Sequence, residues 1–410
     1  MKKKPLIIAM ALAGAATTAL AAPPAIEFSG YLRAGVGVNA RGGNQVCFGL
    51  AGADTKYRLG NECDYVIEPN FNAKLAEFEG SDWHVHVMPS VYKAWDSGQG
   101  GTAGNGPDTL TTRFGQIYAY GDHIKQLANG KVWAGRRFYN RLQTGINDQF
   151  LENNDGNGAG LEDMDLGVGK LSIAFMMDPN YGVAGTPTDR AVTNNRFSLP
   201  IRMTGIKDMP NGELAIYVTP SKQLKSDNQT SGTPVATTSE PSGLAVGVYQ
   251  TLSGAILGGN TLIGLKHDKF GETKNTRVVF QQSASFGATA VDFITEYRVN
   301  KQAAAAGNKW FTVGARADTW LSGPFRFLVE AGHDQVKPES GADKLNMTKL
   351  TAAVAASAGK DAGSRPTVRL FVTHAVWNEA ARLNLSGNTK AVFGDKKAGT
   401  SIGVQAETWW

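Results

Sequence analysis

The chain has 410 residues, 49 of them glycine, and carries a formal charge of +5. Three lysines stand at positions 2 to 4 in an N-terminal leader, so the remainder keeps a small positive excess that gives no case for nucleic-acid binding. Beyond the leader, no apolar stretch approaches the roughly 18 residues that a membrane helix needs, and no helical periodicity is sustained.

The leader comes first. Met1 and the lysines precede an apolar run from Leu6 to Ala16, and Ala19-Leu20-Ala21 has small residues at alternate positions. This is the pattern of a cleaved secretory signal peptide. Residues 1–21 are therefore expected to be removed, with 22–410 forming one exported domain.

The first strand follows at 26–39. Ile26, Phe28, Leu32, Ala34, Val36 and Val38 occupy one face; Glu27, Ser29, Tyr31, Arg33 and Asn39 occupy the other. Period two with one apolar face predicts a β-strand. Cys47 and Cys63 are the two cysteines. In an exported chain they predict a disulfide closing a loop of about 15 residues, worth about 3 kcal/mol by chain entropy.

Alternation returns at 64–75, where Tyr65, Ile67, Phe71 and Leu75 oppose Val66, Glu68, Asn70, Asn72 and Lys74. Pro69 and Pro89 fall on apolar faces of strand-like segments, and each implies a bulge or a strand end. His84 and His86 share one face but lack a third ligand nearby in sequence, so they read as water-lining residues rather than a metal pair. Glu162, Asp163 and Asp165 read as solvated acids. No nucleophile-elbow pattern accompanies the serines, which leaves an enzyme without support. Further strands alternate at 289–298, 310–320, 325–332 and 367–376, each with Arg, Asp, Glu or Thr facing away from the apolar side. In the last ten residues, Ile402, Val404, Ala406, Thr408 and Trp410 oppose Ser401, Gly403, Gln405, Glu407 and Trp409.

A soluble two-sheet sandwich would share this alternation. Length, the terminal aromatic pair and the count of about eighteen candidate strands favour an all-β transmembrane antiparallel β-barrel with an aqueous lumen. If the apolar faces meet lipid, Tyr31, Arg33 and Trp409 point into the lumen. Trp83, Trp320, Phe325, Tyr118 and Tyr120 read as interface-girdle or packing residues. Short turns at 80–81, 167–170 and 321–324 contrast with long polar stretches at 39–63, 96–110, 139–160, 178–195, 221–242 and 378–398, as in outer-membrane barrels.

Several segments resemble the maltoporin family of outer-membrane carbohydrate-selective porins. They include Phe28-Ser29-Gly30-Tyr31-Leu32-Arg33, Lys56 to Cys63, Trp133-Ala134-Gly135-Arg136-Arg137-Phe138-Tyr139, and Gly158 to Glu162 with Gly169-Lys170-Leu171. Ser364-Arg365-Pro366 and Trp409-Trp410 complete a match that runs in order along the exported chain. The resemblance implies a homotrimeric barrel in the outer membrane of a Gram-negative bacterium. It also implies a constriction made by an inward third loop, here about 139–160. By the same resemblance, sugars of the maltose and maltodextrin (malto-oligosaccharide) class would slide along lumenal aromatics past a charged wall.

By position, Tyr31, Trp95 and Trp409 match slide aromatics, with Trp95 standing where a neighbouring subunit supplies its residue. Arg33, Arg58, Glu68, Arg113, Arg141 and Asp148 match the polar lining, and Phe150 falls where the family has a constriction tyrosine. Val66 and Gly363 stand where slide aromatics are expected, and Gln143 replaces a constriction aspartate. The implied function is facilitated diffusion of sugars without cofactor or metal. The alternative is a general or weakly selective diffusion porin that kept the fold without the full slide.

Overall fold

A computed structural model describes residues 25–94, 111–177, 196–223, 229–230, 233–234, 241–302 and 306–410. Its wall consists of β1 (Ile26–Asn39), β2 (Asp64–Phe78), β3 (Ser81–Ala94), β4 (Thr111–Ile124), β5 (Gly130–Arg137) and β6 (Gly156–Asp165). Next come β7 (Lys170–Met177), β8 in two pieces (Arg196–Ser198 and Ile201–Ile206), β9 (Gly212–Gln223), β10 (Ser242–Ile256), β11 (Gly259–Phe270) and β12 (Thr273–Phe286). The last are β13 (Thr289–Lys301), β14 (Asn308–Ser322), β15 (Phe325–Pro338), β16 (Leu345–Ser357), β17 (Thr367–Trp377) and β18 (Ala398–Trp409). Each strand pairs antiparallel with its neighbours in sequence, and β1 pairs with β18, closing an 18-stranded transmembrane barrel. Closure removes the unpaired edges that lipid would not tolerate.

The register carries the period-two pattern into three dimensions. Tyr31 lies across from Trp409, and Arg33 across from Glu407; on the other face Val36 meets Val404 and Val38 meets Ile402. Val36, Val38, Phe325, Phe327, Leu370 and Ile402 stay exposed on the outer surface, while Arg326, Glu330, Arg369 and Gln405 are buried inward. Lipid solvates the apolar band, and the polar side chains satisfy one another across the lumen.

Proline acts at three places. Pro89 sits at a register shift between β3 and β4. Pro69 interrupts pairing of β2 with β3 without changing the register on either side. Pro200 divides β8, since it cannot donate to the ladder.

The long stretches are not simple surface loops. Residues 40–63 turn inward and are tied by the Cys47–Cys63 disulfide. The Tyr57 side chain is buried against Gly314 and Gly332 of the far wall, and its hydroxyl meets Thr312 Oγ1 at 2.6 Å. The expected constriction at 139–160 is shorter: residues 156–160 belong to β6. What enters the lumen is a hairpin of Leu142–Thr144 and Gln149–Glu152. The 378–398 stretch holds α1 (Glu379–Leu383) and α2 (Gly387–Phe393). Asn378 caps α1 by accepting from the Ala381 amide.

The first and last of these segments meet. Val46, Phe48, Leu50, Ala381, Leu385 and Phe393 form one apolar cluster with Trp310, Val336, Met347 and Trp377 of the wall. It closes part of the barrel mouth. Replacing both Cys47 and Cys63 by serine is expected to cost about 3 kcal/mol of anchoring at the base of the crossing segment. Protease digestion of the folded barrel checks this: cleavage within 48–62 should appear in the variant at doses that leave the parent intact.

Candidate constriction and its lining

The lumenal wall at the β1–β18 seam gathers an arginine–carboxylate network. The Tyr31 hydroxyl donates to Glu407 Oε1 at 2.9 Å and accepts from Arg33 at 2.9 Å and Arg58 at 3.1 Å. Arg33 bridges Glu62 at 2.8 Å and Asp64 at 2.5 Å. Arg58, brought in by the crossing segment, reaches Glu62 at 3.3 Å and Glu407 at 3.1 Å. Arg369 donates to Glu407 at 2.7 Å, and Arg365 approaches the same carboxylate at 3.6 Å.

Burial pushes the Glu62 carboxyl up, against the pull of Arg58, Arg33 and Lys56. For Arg58, burial works against the charge, but Glu62, Glu407 and Asp148 outweigh it and hold the guanidinium above its ordinary range. The charges therefore depend on one another, each offsetting a neighbour in a site of low dielectric.

The lumenal hairpin supplies the facing side. Arg141 pairs with Asp155 and lies over the Phe138 ring at 3.3 Å and the Phe150 ring at 5.0 Å. Asp148 takes Lys56 at 3.1 Å and Gln143 at 2.5 Å. The hairpin is fastened to the opposite wall. Leu151 packs fully buried with Tyr217, Tyr249, Val279 and Ile294. Glu152 accepts from Lys266 and from the Tyr249 hydroxyl, each at 2.7 Å. Arg277 holds the Phe150 carbonyl at 2.9 Å, and Arg298 holds Gln149 at 2.6 Å.

Between the hairpin tip, the crossing segment and the seam lies a cavity of about 200 Å³ whose lining includes Ile146, Arg58, Arg316, Arg365, Arg369 and Trp409. So Tyr31, Arg33, Arg58 and Trp409 come together at the seam, Asp148 reaches the crossing segment beside Arg58 through Lys56, and Arg141 and Phe150 lie together on the hairpin outside the lining of that cavity. Glu68 lies across from Tyr31 and accepts from Ser90 at 3.0 Å. Arg113 is exposed on β4, across from Ser90. Trp95 lies outside the described residues.

A second aromatic surface stands on β3, β4 and β5. His84 stacks on Tyr120 at 4.7 Å and His86 on Tyr118 at 4.9 Å. Arg137 lies over the rings of Tyr118 and Trp133, each at 4.8 Å, and over Tyr139 at 5.4 Å. Tyr118 and Tyr120 are therefore on the lumenal wall, not in an outer girdle. Their shared parity with Gln116 and Asp122 was the available sign. Trp83 does face outward. Among the described residues, no group of three or more His, Cys, Asp or Glu side chains is placed to hold a metal ion.

Arg316, Arg365, Arg369 and Glu407 are site residues that sequence matching to slide and lining positions did not single out. The alternation at 367–376 and 401–410 put Arg369 and Glu407 on the lumenal face; only the cross-strand register shows them sharing one site.

Comparison with known proteins gives one family and a set of barrels. The family profile described as LamB porin matches residues 26–410. OccAB2 of Acinetobacter baumannii is 10% identical over 94% of this chain and 98% of its own, with a TM-score of 0.54. OccD3 of Pseudomonas aeruginosa is 10% identical over 95% of each chain, with a TM-score of 0.53. At such identity the likeness concerns the barrel alone.

Proposed function

The chain belongs to the LamB porin family, and from that premise we propose that it is an outer-membrane channel for the facilitated diffusion of sugars in a Gram-negative bacterium. The observation that carries this reading is the cross-strand pair Tyr31 and Trp409 beside a charged constriction. A sugar ring has an apolar C–H face that lies on an aromatic ring, and hydroxyls that exchange hydrogen bonds with Arg, Asp and Glu. Trp409 is 47% exposed, which leaves ring surface for such contact. Transport needs weak, repeated binding, so that the solute leaves as readily as it enters.

In this reading Tyr31 and Trp409 stack the sugar, and Arg33, Arg58, Glu68, Arg113, Arg141 and Asp148 hydrogen-bond it, with Phe150 at the narrow point. Trp95 meets it at the outer mouth of a neighbouring subunit in a homotrimer. Residues 1–21 are the leader and 22–410 the porin domain.

A second reading, a general diffusion pore on the same frame, is favoured by Val66 and Gly363. Val66 lies across from Arg33 on the lumenal face, without an aromatic ring to offer. Gly363 has open space where a side chain would project.

The experiment is current through the purified protein in a planar bilayer, titrated with maltotriose and then with sucrose. Saturable block by either supports a sugar site and selects the class; steady current with both supports the general pore. Trp409→Ala is expected to weaken block about tenfold, as loss of an aromatic contact worth roughly 1.4 kcal/mol would do. Tyr31→Ala should weaken it as well, while conductance stays level or rises. Unchanged block in both variants would remove the slide from the explanation.

A further inference from the structure

The side of the cavity that a solute meets is cationic. Arg58, Arg316, Arg365 and Arg369 line it, against Asp292 and Glu407. Other carboxylates balance these arginines from behind. Glu62 has no exposed side-chain surface beneath Arg58, and Glu330, nearly as buried, holds Arg316 while also accepting from the Leu59 amide at 2.8 Å. Glu407 is shared by Arg58, Arg365 and Arg369.

Arg365 has the weakest share. Its Nη1 donates to the carbonyls of Ala362 and Ser364 in its own turn, its Nη2 comes no nearer to Glu407 than 3.6 Å, and its buried Nε has no partner. Its guanidinium lies over the Trp409 ring at 3.9 Å. One face of the terminal aromatic is thus taken by a cation, beside the open position at Gly363. A planar cation with unspent donors suits a carboxylate or phosphate better than a neutral hydroxyl, because charge-assisted hydrogen bonds are about twice as strong.

We propose that this cavity takes a sugar ring bearing a negative charge, with the ring on the free surface of Trp409 and the charge on Arg365 and Arg369. The inference rests on the sugar-channel reading and names its solute class: a sugar acid or a sugar phosphate. Asp292 excludes the anion from its own corner and so fixes the orientation of the ring.

The test uses three matched solutes, glucose, glucuronate and glucose 6-phosphate, added to the full-length protein conducting in a planar bilayer. At least one anion should block at a concentration about tenfold below that of glucose, the ratio expected for one added charge-assisted hydrogen bond. Block by glucuronate alone identifies the carboxylate, and block by glucose 6-phosphate alone the phosphate. Rising salt should weaken this block, and Arg365→Gln should erase the advantage over glucose. Equal block by all three solutes would overturn the charged-solute inference and leave the sugar channel standing. No block by any of them, in a channel that still carries current, would overturn both. An advantage that survives in Arg365→Gln would overturn the role given to Arg365. The titration of the parent protein decides the solute class even if that variant fails to assemble.

Discussion

Glu152→Ala is expected to free the lumenal hairpin and raise single-channel conductance, with frequent steps between levels. Glu152 is 3% exposed and is the carboxylate that neutralises Lys266, itself 6% exposed. Removing it leaves the ammonium buried with only the Leu151 carbonyl to accept from it, and leaves the Tyr249 hydroxyl without its shortest partner. Breaking a buried pair on one side costs about 3–5 kcal/mol, far more than the pair contributes when intact. The barrel wall has its own ladder and survives. On the wall side the hairpin keeps Leu151, Ile146 and the bonds from Arg277 and Arg298, and its tip stays bonded to the crossing segment through the Lys56 and Arg58 amides, so the loss falls on the strand that carries Glu152. A double replacement, Glu152→Leu with Lys266→Met, removes both charges together and should restore a quiet, narrow channel. Conductance unchanged in Glu152→Ala would mean that the apolar contacts of Leu151 hold the hairpin alone.

Tyr57→Ala is expected to release the crossing segment. The ring fills the space over two glycines, Gly314 and Gly332, where a Cβ at either would overlap it. Truncating a buried aromatic costs about 3–5 kcal/mol. Two further contacts go with it: the bond to Thr312 and the Lys349 ammonium over the ring at 5.3 Å. Tyr57 also holds a left-handed backbone, with φ at 46°, which the ring's packing and the flanking Lys56 and Arg58 amide bonds to the hairpin keep in place. The disulfide still pins both ends of the segment, so the expected change is an arch swinging within the lumen, with larger conductance and proteolysis between 48 and 62. Gly332→Val should give the same phenotype from the wall side. If both variants conduct like the parent, the segment is held by its charged contacts with Glu330 and Lys349 instead.

The wall of this barrel was legible because a period of two, carried over strands of up to 15 residues, admits one assignment of faces. Arg33 and Val36 could be sent to opposite sides from the alternation alone. The crossing segment was not legible. Its residues are polar and glycine-rich, and what draws it inward is the fit of Tyr57 to glycines more than 250 positions later, which no local pattern records. The disulfide was read correctly, yet it says where the segment is tied and not which way it leans. The seam network was half legible. Matching positions gave Tyr31, Arg33, Arg58 and Trp409, whereas Arg365 stood in a motif noted only for its likeness. Its stacking on Trp409 depends on how the turn before β17 folds back. Tyr118 and Tyr120 were read as girdle or packing residues; they pack beside Trp133 and Tyr139 on the lumenal wall, so the packing half of that reading holds and the girdle half does not.

The seam where the chain's beginning meets its end is fastened beyond its strand ladder. Arg41 reaches Asp395 at 2.5 Å, Ser401 bonds Val46, Thr389 bonds Cys47, and the Phe48 and Phe393 rings lie 5.9 Å apart. In contrast, β8 is split at Pro200, which cannot donate to the ladder. Under a sideways pull the barrel is therefore not a sheet rolled up with a weak join at its first and last staves. Its join is riveted from both sides, by the crossing segment that follows the first stave and by the helices that precede the last.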